Sequence, residues 1–402
     1  MRNVFNRPFY LNQILKFKDT DFIKILTGVR RSGKSFLMKL YKQHLENLGV
    51  KSENIIYINF ESYESLSINN EEKFRAEIDK RLPDNNNKLY FMFDEIQLVE
   101  GWQRVVNGLK ASFDSDITIT GSNADMLSGE LATLLSGRYV EILVYPLSFS
   151  EFLQVKEIDP NSRYVDQAYI EYEKYGGFPS VVLADEEIKD VILQGIFDTI
   201  VLNDIAFRAG VKDPATLKAL ISFLSDNVGQ LVNSARIANT LTSEGVPTTI
   251  PTIKKYLDLL ETGYLFYRGK QYDIRGREYL RTNGKYFIVD SGLRRNAVGR
   301  KDGNYSNRLE NIVFIELKRR GYQVDIGRLG TKEIDFIARK LDEVLYVQVT
   351  YDLPNNTHET DNLNNINDNY KKVLVTGKYQ QVNQIDGVEV KYIVDWLLED
   401  ED

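Results

Sequence analysis

Residues 28–35 read Gly28-Val29-Arg30-Arg31-Ser32-Gly33-Lys34-Ser35 and decide the class of fold that we expect for the N-terminal part of the chain. The apolar run Phe22–Thr27 precedes this stretch, and an amphipathic run that begins at Phe36 follows it. In a strand–loop–helix unit of this kind, glycines let backbone N–H groups surround a phosphate, and the helix N-terminus adds partial positive charge. The sequence therefore predicts a parallel α/β sheet of the P-loop NTPase type.

The side chains of this loop carry separate roles in the predicted site. We expect Lys34 to contact the β- and γ-phosphates of a nucleotide and the Ser35 hydroxyl to ligate Mg²⁺. The other predicted nucleotide contacts are Gly28, Arg30, Arg31, Ser32, Gly33 and Phe36.

Polar residues follow two further apolar runs. Leu89–Phe93 ends in Asp94 and Glu95; Asp94 is expected to hold the Mg²⁺ shell through water, and Glu95 to polarise the attacking water. The run Ile117–Thr120 is followed by Gly121-Ser122-Asn123, and Ser122 or Asn123 is expected to orient that water, although a polar turn before a helix explains them equally well. No Asn-Lys-x-Asp guanine motif occurs in the sequence, so ATP is the expected nucleotide.

Composition limits the other chemistry. The 402 residues include no cysteine and two histidines, His44 and His358, which excludes disulfides and cysteine zinc sites and leaves oxygen ligands for any metal. The net charge of −7 argues against a chain coated in nucleic acid. No apolar run reaches membrane-span length and no apolar leader is present, so a cytoplasmic location and no membrane partner are expected.

We predict four segments along the chain. Residues 1–150 form the ATPase core with strands, residues 151–209 a helical lid or connector, residues 210–285 a winged-helix-like module, and residues 286–402 a second α/β domain. The predicted core strands are Phe22–Thr27, Asn54–Phe60, Leu89–Asp94, Ile117–Thr120 and Val140–Val144.

The third segment has the pattern of a winged helix, with three helices and a hairpin. Residues 205–285 contain 12 Lys and Arg against 7 Asp and Glu, an excess that a DNA-facing surface needs. The third helix, Thr248–Thr262, would enter the major groove of double-stranded DNA, although winged helices also dock proteins. The predicted DNA contacts are Thr252, Lys254 and Lys255 on that helix and Arg268, Lys270, Arg275 and Arg277 on the wing.

The last segment has the layout of the PD-(D/E)xK nucleases. Glu310 lies on a predicted helix, Asp335 near the start of a strand, and Gln348-Val349-Thr350 on the next strand. This chemistry needs carboxylates for a metal and a lysine near the water. Because Gln348 is neutral and Thr350 replaces the lysine, we expect a nuclease-like domain without cleavage activity.

Together these motifs resemble those of the prokaryotic AAA+ ATPases that carry a C-terminal domain of unknown function. The resemblance covers nearly the whole chain and rests on Gly28–Ser35, 57–61, 93–97, 120–123, 135–139, 145–149, 175–179, 203–208, 289–293 and 308–311. It implies that Ser122 and Asn123 occupy the sensor-1 position and that Arg138 contacts the γ-phosphate. Arg208 is the alternative, and either arginine could act in its own subunit or in a neighbour, which would require a homo-oligomer.

The function expected from the sequence is Mg²⁺-dependent ATP binding and hydrolysis, coupled to a C-terminal region that binds DNA or a protein partner. The sequence is compatible with two alternatives. One is an ATP-dependent nucleic-acid-processing enzyme whose C-terminal domain still cuts. The other is an ATP-controlled switch that docks a protein and does not bind DNA.

Overall fold

A computed structural model describes residues 6–122, 137–207, 210–211, 213–299, 305–353 and 358–399. The chain divides into two compact units. The first consists of Met1–Tyr145 together with Thr262–Tyr264, and the second of Pro146–Glu261 together with Leu265–Asp402.

The first unit is built on a parallel sheet, as the sequence predicts. The strands lie in the order β2-β3-β4-β1-β5, and every neighbouring pair is parallel. Parallel strands place their carboxyl ends at one edge, where ligands of open α/β sheets bind. The strands are β1 (Ile23–Thr27), β2 (Ile55–Asn59), β3 (Leu89–Asp94), β4 (Ser115–Thr120) and β5 (Tyr139–Leu143).

Helices cover both faces of this sheet because its strands are apolar on both sides. One face packs Phe74 and Trp102 against Phe93, and the other packs Tyr10 and Leu37 against Leu26. The helices of this unit are α1 (Pro8–Lys16), α2 (Lys34–Asn47), α3 (Glu71–Arg81) and α4 (Trp102–Ser112).

The second unit begins with helices. The first group is α5 (Phe149–Val155), α6 (Val165–Tyr175), α7 (Pro179–Val182) and α8 (Glu186–Asp198), which continues as a π-helix over Thr199–Phe207. Then follow α9 (Pro214–Asp226), α10 (Ser234–Ser243) and α11 (Ile250–Thr262), close to the three helices predicted there. None of the described helices combines the length and apolar character needed to cross a bilayer.

The remaining strands form a mixed sheet in the order β12-β13-β11-β10-β9-β8-β6-β7. Its strands are β6 (Phe266–Asp273), β7 (Glu278–Ile288), β8 (Gln323–Leu329), β9 (Lys332–Lys340), β10 (Glu343–Thr350), β11 (Lys371–Thr376), β12 (Gln384–Ile385) and β13 (Val388–Tyr392). The helices associated with them are α12 (Ser291–Val298), α13 (Tyr305–Arg319), α14 (His358–Asn364) and α15 (Ile393–Leu398).

The hairpin of β6 and β7 belongs to the eight-stranded sheet and not to the separate winged-helix module predicted from the sequence. The predicted boundary at residue 285 falls inside β7, and β6 pairs in parallel with β8, for example Tyr272 with Gly327. The reason is burial: Phe266 and Phe287 are 0% exposed, and the Phe287 ring stacks on Phe314 of α13 at 4.0 Å between centroids. The hairpin is therefore part of the large sheet and not a free wing.

Two glycine-containing segments of the second unit meet at a buried carboxylate. Asp290 Oδ2 accepts a hydrogen bond from Gly177 N at 2.7 Å, and Asp290 Oδ1 accepts from Gly292 N at 2.9 Å, which caps α12. A side chain at Gly177 would place Cβ 2.2 Å from Leu147 O. Backbone approach this close explains why the chain has glycine at these turns.

Candidate nucleotide-binding site

The loop of residues 28–33 connects β1 to α2 and has a backbone that only glycine fits at its first position. Gly28 has a φ of 128°, and a Cβ there would lie 2.3 Å from Val144 O. Gly33, in the left-handed region at φ 104°, caps α2. The loop therefore turns tightly at both ends and presents the first turn of α2 toward a ligand.

The charged side chains of the loop point in different directions. Lys34 is buried, and its Nζ donates to Gly28 O at 2.8 Å and Val29 O at 3.1 Å, so the ammonium lies over the loop. The Arg30 guanidinium pairs with Glu61, and Arg31 is exposed. Lys34 is thus the loop cation best placed for phosphate, while Arg30 contacts the segment after β2.

Asp94 receives hydrogen bonds from three elements at the carboxyl edge of the sheet. Its Oδ1 accepts from Ser35 Oγ at 3.1 Å and from Thr120 Oγ1 at 2.6 Å, and its Oδ2 accepts from Tyr57 OH at 3.1 Å. Burial raises the pKa of Asp94, while the bonds from Thr120 and Ser35 act in the opposite direction. Ser35 and Asp94 meet as the sequence predicts, and Tyr57 and Thr120 are additional partners.

Glu95 follows directly and has a left-handed backbone with φ 55°. Its N–H donates to Thr120 Oγ1 at 2.9 Å, and its carboxylate accepts a hydrogen bond from the Gln97 side-chain amide. Glu95 therefore lies beside the Asp94 site, and its carboxylate is held by Gln97, a residue to which the sequence analysis gave no role.

The other predicted catalytic residues are less well constrained. Ser122 is buried just after β4, next to Gly121, whose N–H donates to Leu26 O of β1 at 3.1 Å. Arg138 is exposed just before β5. Asn123 and Arg208 lie outside the described residues.

Arg7 is a structural residue of this site that the sequence analysis missed. It is 0% exposed, and its guanidinium donates to Ser32 O at 2.9 Å and to Tyr145 O at 3.0 Å. The same group lies 4.4 Å from the centre of the Tyr10 ring. Arg7 therefore fixes the phosphate loop from the N-terminal side, and the isolated Arg7-Pro8 pair gives no motif by which to find it.

The Glu141 carboxylate of β5 accepts hydrogen bonds from two side chains of the first unit, Thr27 and Tyr264. Thr27 Oγ1 donates to Glu141 Oε1 at 2.6 Å, and Tyr264 OH donates to the same oxygen at 3.0 Å. Thr27 is the last residue of β1, immediately before Gly28. The Tyr264 phenol is thus joined through one carboxylate to the strand that carries the loop.

The acidic residues that the sequence placed in a nuclease-like layout do come together in the second unit. Asp335 N donates to Gln348 Oε1 at 3.3 Å, and Val349 N donates to Asp335 Oδ2 at 2.8 Å. Lys285, a residue that no sequence motif indicated, lies among them. Its Nζ is 3.2 Å from Glu310 Oε2, 2.7 Å from Glu333 Oε1 and 3.8 Å from Asp335 Oδ1.

The electrostatics of this cluster follow from burial and charge. Burial and the Glu310 charge raise the pKa of Asp335 well above its usual value. Burial lowers the pKa of Lys285, but the carboxylates of Glu310, Asp335 and Glu333 outweigh that effect and hold it above its usual range. Within the described ranges, no three Asp, Glu or His side chains are grouped so that they could hold a metal ion.

The predicted DNA-contact residues lie on α11, on β6 and in the turn between β6 and β7, where Arg275 and Arg277 are exposed. Lys254 and Lys255 are exposed on α11, and Thr252 is half-buried, where its Oγ1 is 2.9 Å from Thr249 Oγ1. On β6, Lys270 is exposed, and the half-buried Arg268 guanidinium lies 6.0 Å from the centre of the Tyr286 ring. The α11 lysines are therefore available to a ligand, and Arg268 is partly committed to packing.

Two parts of the chain match known protein families. Residues 20–153 match a family described as an AAA domain, and residues 166–304 match a domain of unknown function, DUF8612. An uncharacterized protein of Haemophilus influenzae is 65% identical over 394 residues, covering 98% of this chain and 98% of its own. An uncharacterized protein of Methanocaldococcus jannaschii is 31% identical over 374 residues, covering 90% of this chain and 80% of its own.

Among solved structures, the fold is similar to that of the Walker-type ATPase of Pyrococcus abyssi. The TM-score is 0.51 at 14% identity, and the match covers 73% of this chain and 95% of that one. The predicted P-loop NTPase fold of the first unit is thereby confirmed, and the nucleotide-binding loop lies within an AAA domain.

Proposed function

We propose that this chain, which belongs to the family of the Haemophilus influenzae and Methanocaldococcus jannaschii proteins and contains an AAA domain, binds ATP with Mg²⁺ and hydrolyses it at Gly28–Ser35. The observation that carries this proposal is the carboxylate of Asp94. It accepts a hydrogen bond from the loop residue Ser35 and another from Thr120 of the adjacent strand β4. This arrangement supports one site made from the loop and the strand ends, as metal-assisted phosphoryl transfer requires.

The chemistry of the donors fits Mg²⁺. Ser35 Oγ and Asp94 Oδ1 are hard oxygen ligands 3.1 Å apart, and Mg²⁺ prefers such ligands together with water and phosphate oxygens. When bound, the ion would neutralise charge on the β- and γ-phosphates. Ser35 would hold it directly and Asp94 through water.

The remaining roles fall to side chains around the loop. Lys34 neutralises phosphate charge, and Glu95 accepts a proton from the attacking water. Ser122 and Asn123 orient that water against the γ-phosphate. Arg138 stabilises the transition-state charge, in its own subunit or on the nucleotide of a neighbouring copy, with Arg208 as the alternative.

Two variants test the ATPase proposal. Lys34→Ala should abolish ATP hydrolysis and the binding of a fluorescent ATP analogue at the phosphate loop, because the phosphate charge loses its counter-ion there. Glu95→Gln should bind the analogue as the wild type does and lose about 100-fold or more in turnover. The control is Glu72→Gln, an exposed acid on α3, which should leave both measurements unchanged; wild-type turnover by Glu95→Gln would refute the base assignment.

We propose that nucleotide state reaches the C-terminal region through Tyr264. Its phenol donates to Glu141, which also accepts from Thr27 beside the loop. Tyr264 lies in the short connection between α11, which ends at Thr262, and β6, which begins at Phe266. A shift of β1 on hydrolysis would thereby act on the connection between those two elements. Tyr264→Phe removes the hydrogen bond and keeps the ring, and it should uncouple ATPase rate from ligand binding by the C-terminal region.

We propose double-stranded DNA as a ligand of α11, supported by its exposed pair Lys254 and Lys255 and by the local excess of basic residues. Lys270 of β6 would add a further phosphate contact. The logarithm of the duplex-binding constant falls linearly with the logarithm of salt concentration, and Lys254→Ala with Lys255→Ala should lower the magnitude of that slope by about two. Absence of duplex binding at low salt would favour the protein-docking switch instead.

We propose that the C-terminal sheet does not cut nucleic acid. The support is that the Lys285 ammonium contacts three carboxylates, and that Gln348 supplies no charge beside Asp335. Incubation of the full chain with plasmid and Mn²⁺ tests this. Nicking that disappears in Asp335→Ala would establish the nuclease alternative.

A further inference from the structure

We infer that the second unit carries a separate site for a nucleotide ligand, in a cavity of about 880 Å³ between the β6–β7 turn and the segment that follows α14. This volume lies within the range of sites that take small molecules and cofactors. Two features of the sequence that the ATPase site leaves unused meet here: the arginines of the predicted wing and the asparagines of residues 365–369. The inference does not depend on the ATPase proposal.

The cavity offers positive charge on a fixed backbone. Arg275 and Arg277 line it and are both exposed. Asp273 Oδ1 accepts hydrogen bonds from Arg275 N at 2.9 Å and Gly276 N at 3.0 Å, which holds the turn. Guanidinium groups on a rigid turn suit bidentate recognition of phosphate.

A third arginine has a different role in the wall. The Arg339 guanidinium lies 4.3 Å from the centre of the Tyr272 ring, and its Nη1 donates to Asp325 Oδ2 at 2.6 Å. The Arg339 guanidinium is therefore paired with Asp325 and packs on the Tyr272 ring. The charge available to a ligand comes from Arg275 and Arg277.

Aromatic rings form the opposite wall. Tyr346 OH donates to Asp368 Oδ2 at 2.7 Å, which fixes that ring. The Tyr370 ring lies 6.4 Å from the Tyr346 ring and is 48% exposed. An exposed tyrosine ring beside a fixed one provides a stacking surface for a base.

Amide side chains complete the lining. Asn365, Asn367 and Asn369 are exposed along the segment after α14. Asn365 Nδ2 donates to Asp361 O, and the amides of Asn367 and Asn369 carry donors and acceptors of the kind found on base edges. The segment is tied to the sheet because Lys372 Nζ donates to Ile366 O at 2.9 Å. Phosphate-binding cations, a stacking ring and amides in one cavity match a nucleotide, since an acidic peptide would leave the rings and amides unused.

This cavity is distinct from the acidic cluster around Lys285. Tyr346 belongs to the apolar cluster with Leu363 of α14 and the nearby Ile366, whereas Phe336 packs on Phe314 of α13. Glu310 is on α13. The cluster residues Lys285, Glu310, Glu333 and Asp335 are not among the residues that line the cavity.

The test uses the full chain carrying Lys34→Ala, so that the phosphate loop does not contribute. Fluorescence anisotropy with a labelled oligothymidylate of about ten nucleotides measures single-strand binding, and competition with AMP measures free-nucleotide binding. Tyr370→Ala should weaken binding about tenfold, as loss of one stacking contact does. Arg275→Ala with Arg277→Ala should weaken it and lower the salt slope by up to about two.

The control is Arg75→Ala with Lys80→Ala, which removes the same charge from exposed positions of α3 and should bind as the parent does. Circular dichroism and thermal midpoints check that each variant folds. Site-dependent binding of the oligonucleotide identifies a nucleic-acid strand as the ligand, and site-dependent displacement by AMP identifies a free nucleotide. The inference is overturned if neither probe binds, or if the cavity variants bind as tightly as the control.

Discussion

Ser35 Oγ donates a hydrogen bond to Asp94 Oδ1 across 3.1 Å, which joins the first turn of α2 to the end of β3. The two residues are far apart in sequence and meet because parallel strands end at one edge of the sheet. Burial raises the pKa of Asp94, so the carboxylate depends on this hydrogen bond and on those from Thr120 and Tyr57. A cation at this position would relieve the cost of burying that charge.

The first prediction concerns this pair. Asp94→Asn keeps the size of the side chain and removes its charge, so it should raise the Mg²⁺ concentration needed for half-maximal ATP hydrolysis about tenfold or more. Ser35→Ala should act in the same direction. A Mg²⁺ titration at saturating ATP measures the effect, with Asp84→Asn as the control on a surface segment after α3; an unchanged Mg²⁺ requirement would show that Asp94 does not serve the ion.

The second prediction compares two glycines with left-handed backbones. A Cβ at Gly28 would lie 2.3 Å from Val144 O, whereas a Cβ at Gly49 would meet nothing within 4 Å. Gly49→Ala should therefore cost only backbone strain, about 1 kcal/mol of unfolding free energy. Gly28→Ala should cost more and also abolish ATP binding, because the loop has to move away from β5. Calorimetry and nucleotide titration measure both, and equal behaviour of the two variants would contradict the steric argument.

Much of the first unit could be predicted because its motifs are short and contiguous in the sequence. The loop at Gly28–Ser35 and the acids at the end of β3 each follow an apolar strand. The strand order β2-β3-β4-β1-β5 was not predicted, because parallel strands end at one edge of a sheet whatever their order. The sequence could not reveal Arg7, because its contacts with Ser32 and Tyr145 are made by a single residue without a pattern.

The second unit shows a different limit. The hairpin after α11 has the turn and basic residues of a wing, but Phe266 and Phe287 are buried in the large sheet, and a short apolar strand pairs with whichever edge the fold offers. Lys285 was missed for the same reason: it belongs to β7, and only the pairing of β6 with β8 brings that strand near Glu310 and Asp335.

The third prediction follows from that lysine. The Lys285 side chain is 3% exposed and contacts Glu310, Glu333 and Asp335, so Lys285→Met should leave buried carboxylates without a counter-ion. At neutral pH this should cost about 3–5 kcal/mol of unfolding free energy. The pKa of Asp335 is already raised by burial and by Glu310, so the cost should shrink as pH falls and the carboxylates take up protons.

Urea unfolding at neutral and acidic pH measures this effect. Lys332→Met removes an exposed lysine at the start of β9 and controls for the loss of one charge. If Lys285→Met were no less stable than this control at neutral pH, the lysine would not be the counter-ion of the cluster.

The fourth prediction concerns Asp290, whose carboxylate accepts hydrogen bonds from Gly177 N, Gly292 N and Leu293 N. Burial outweighs these bonds and raises the pKa of Asp290 from 3.8 to about 6. The folded chain therefore binds a proton more tightly than the unfolded chain. This contribution to stability is complete below pH 3.8 and is lost as pH rises through about 6.

Asp290→Asn does not ionise, so it should lack this pH dependence. As pH rises from 3.8 to values above 6, the unfolding free energy of the wild type should fall by about 3 kcal/mol relative to that of the variant. The amide of Asn cannot accept from Gly177, but that cost is the same at every pH and cancels when the slopes are compared. Unfolding free energies measured across this range test the prediction, with the exposed Asp258→Asn on α11 as the control. Parallel profiles for the wild type and Asp290→Asn would show that Asp290 ionises alike in the folded and unfolded chains.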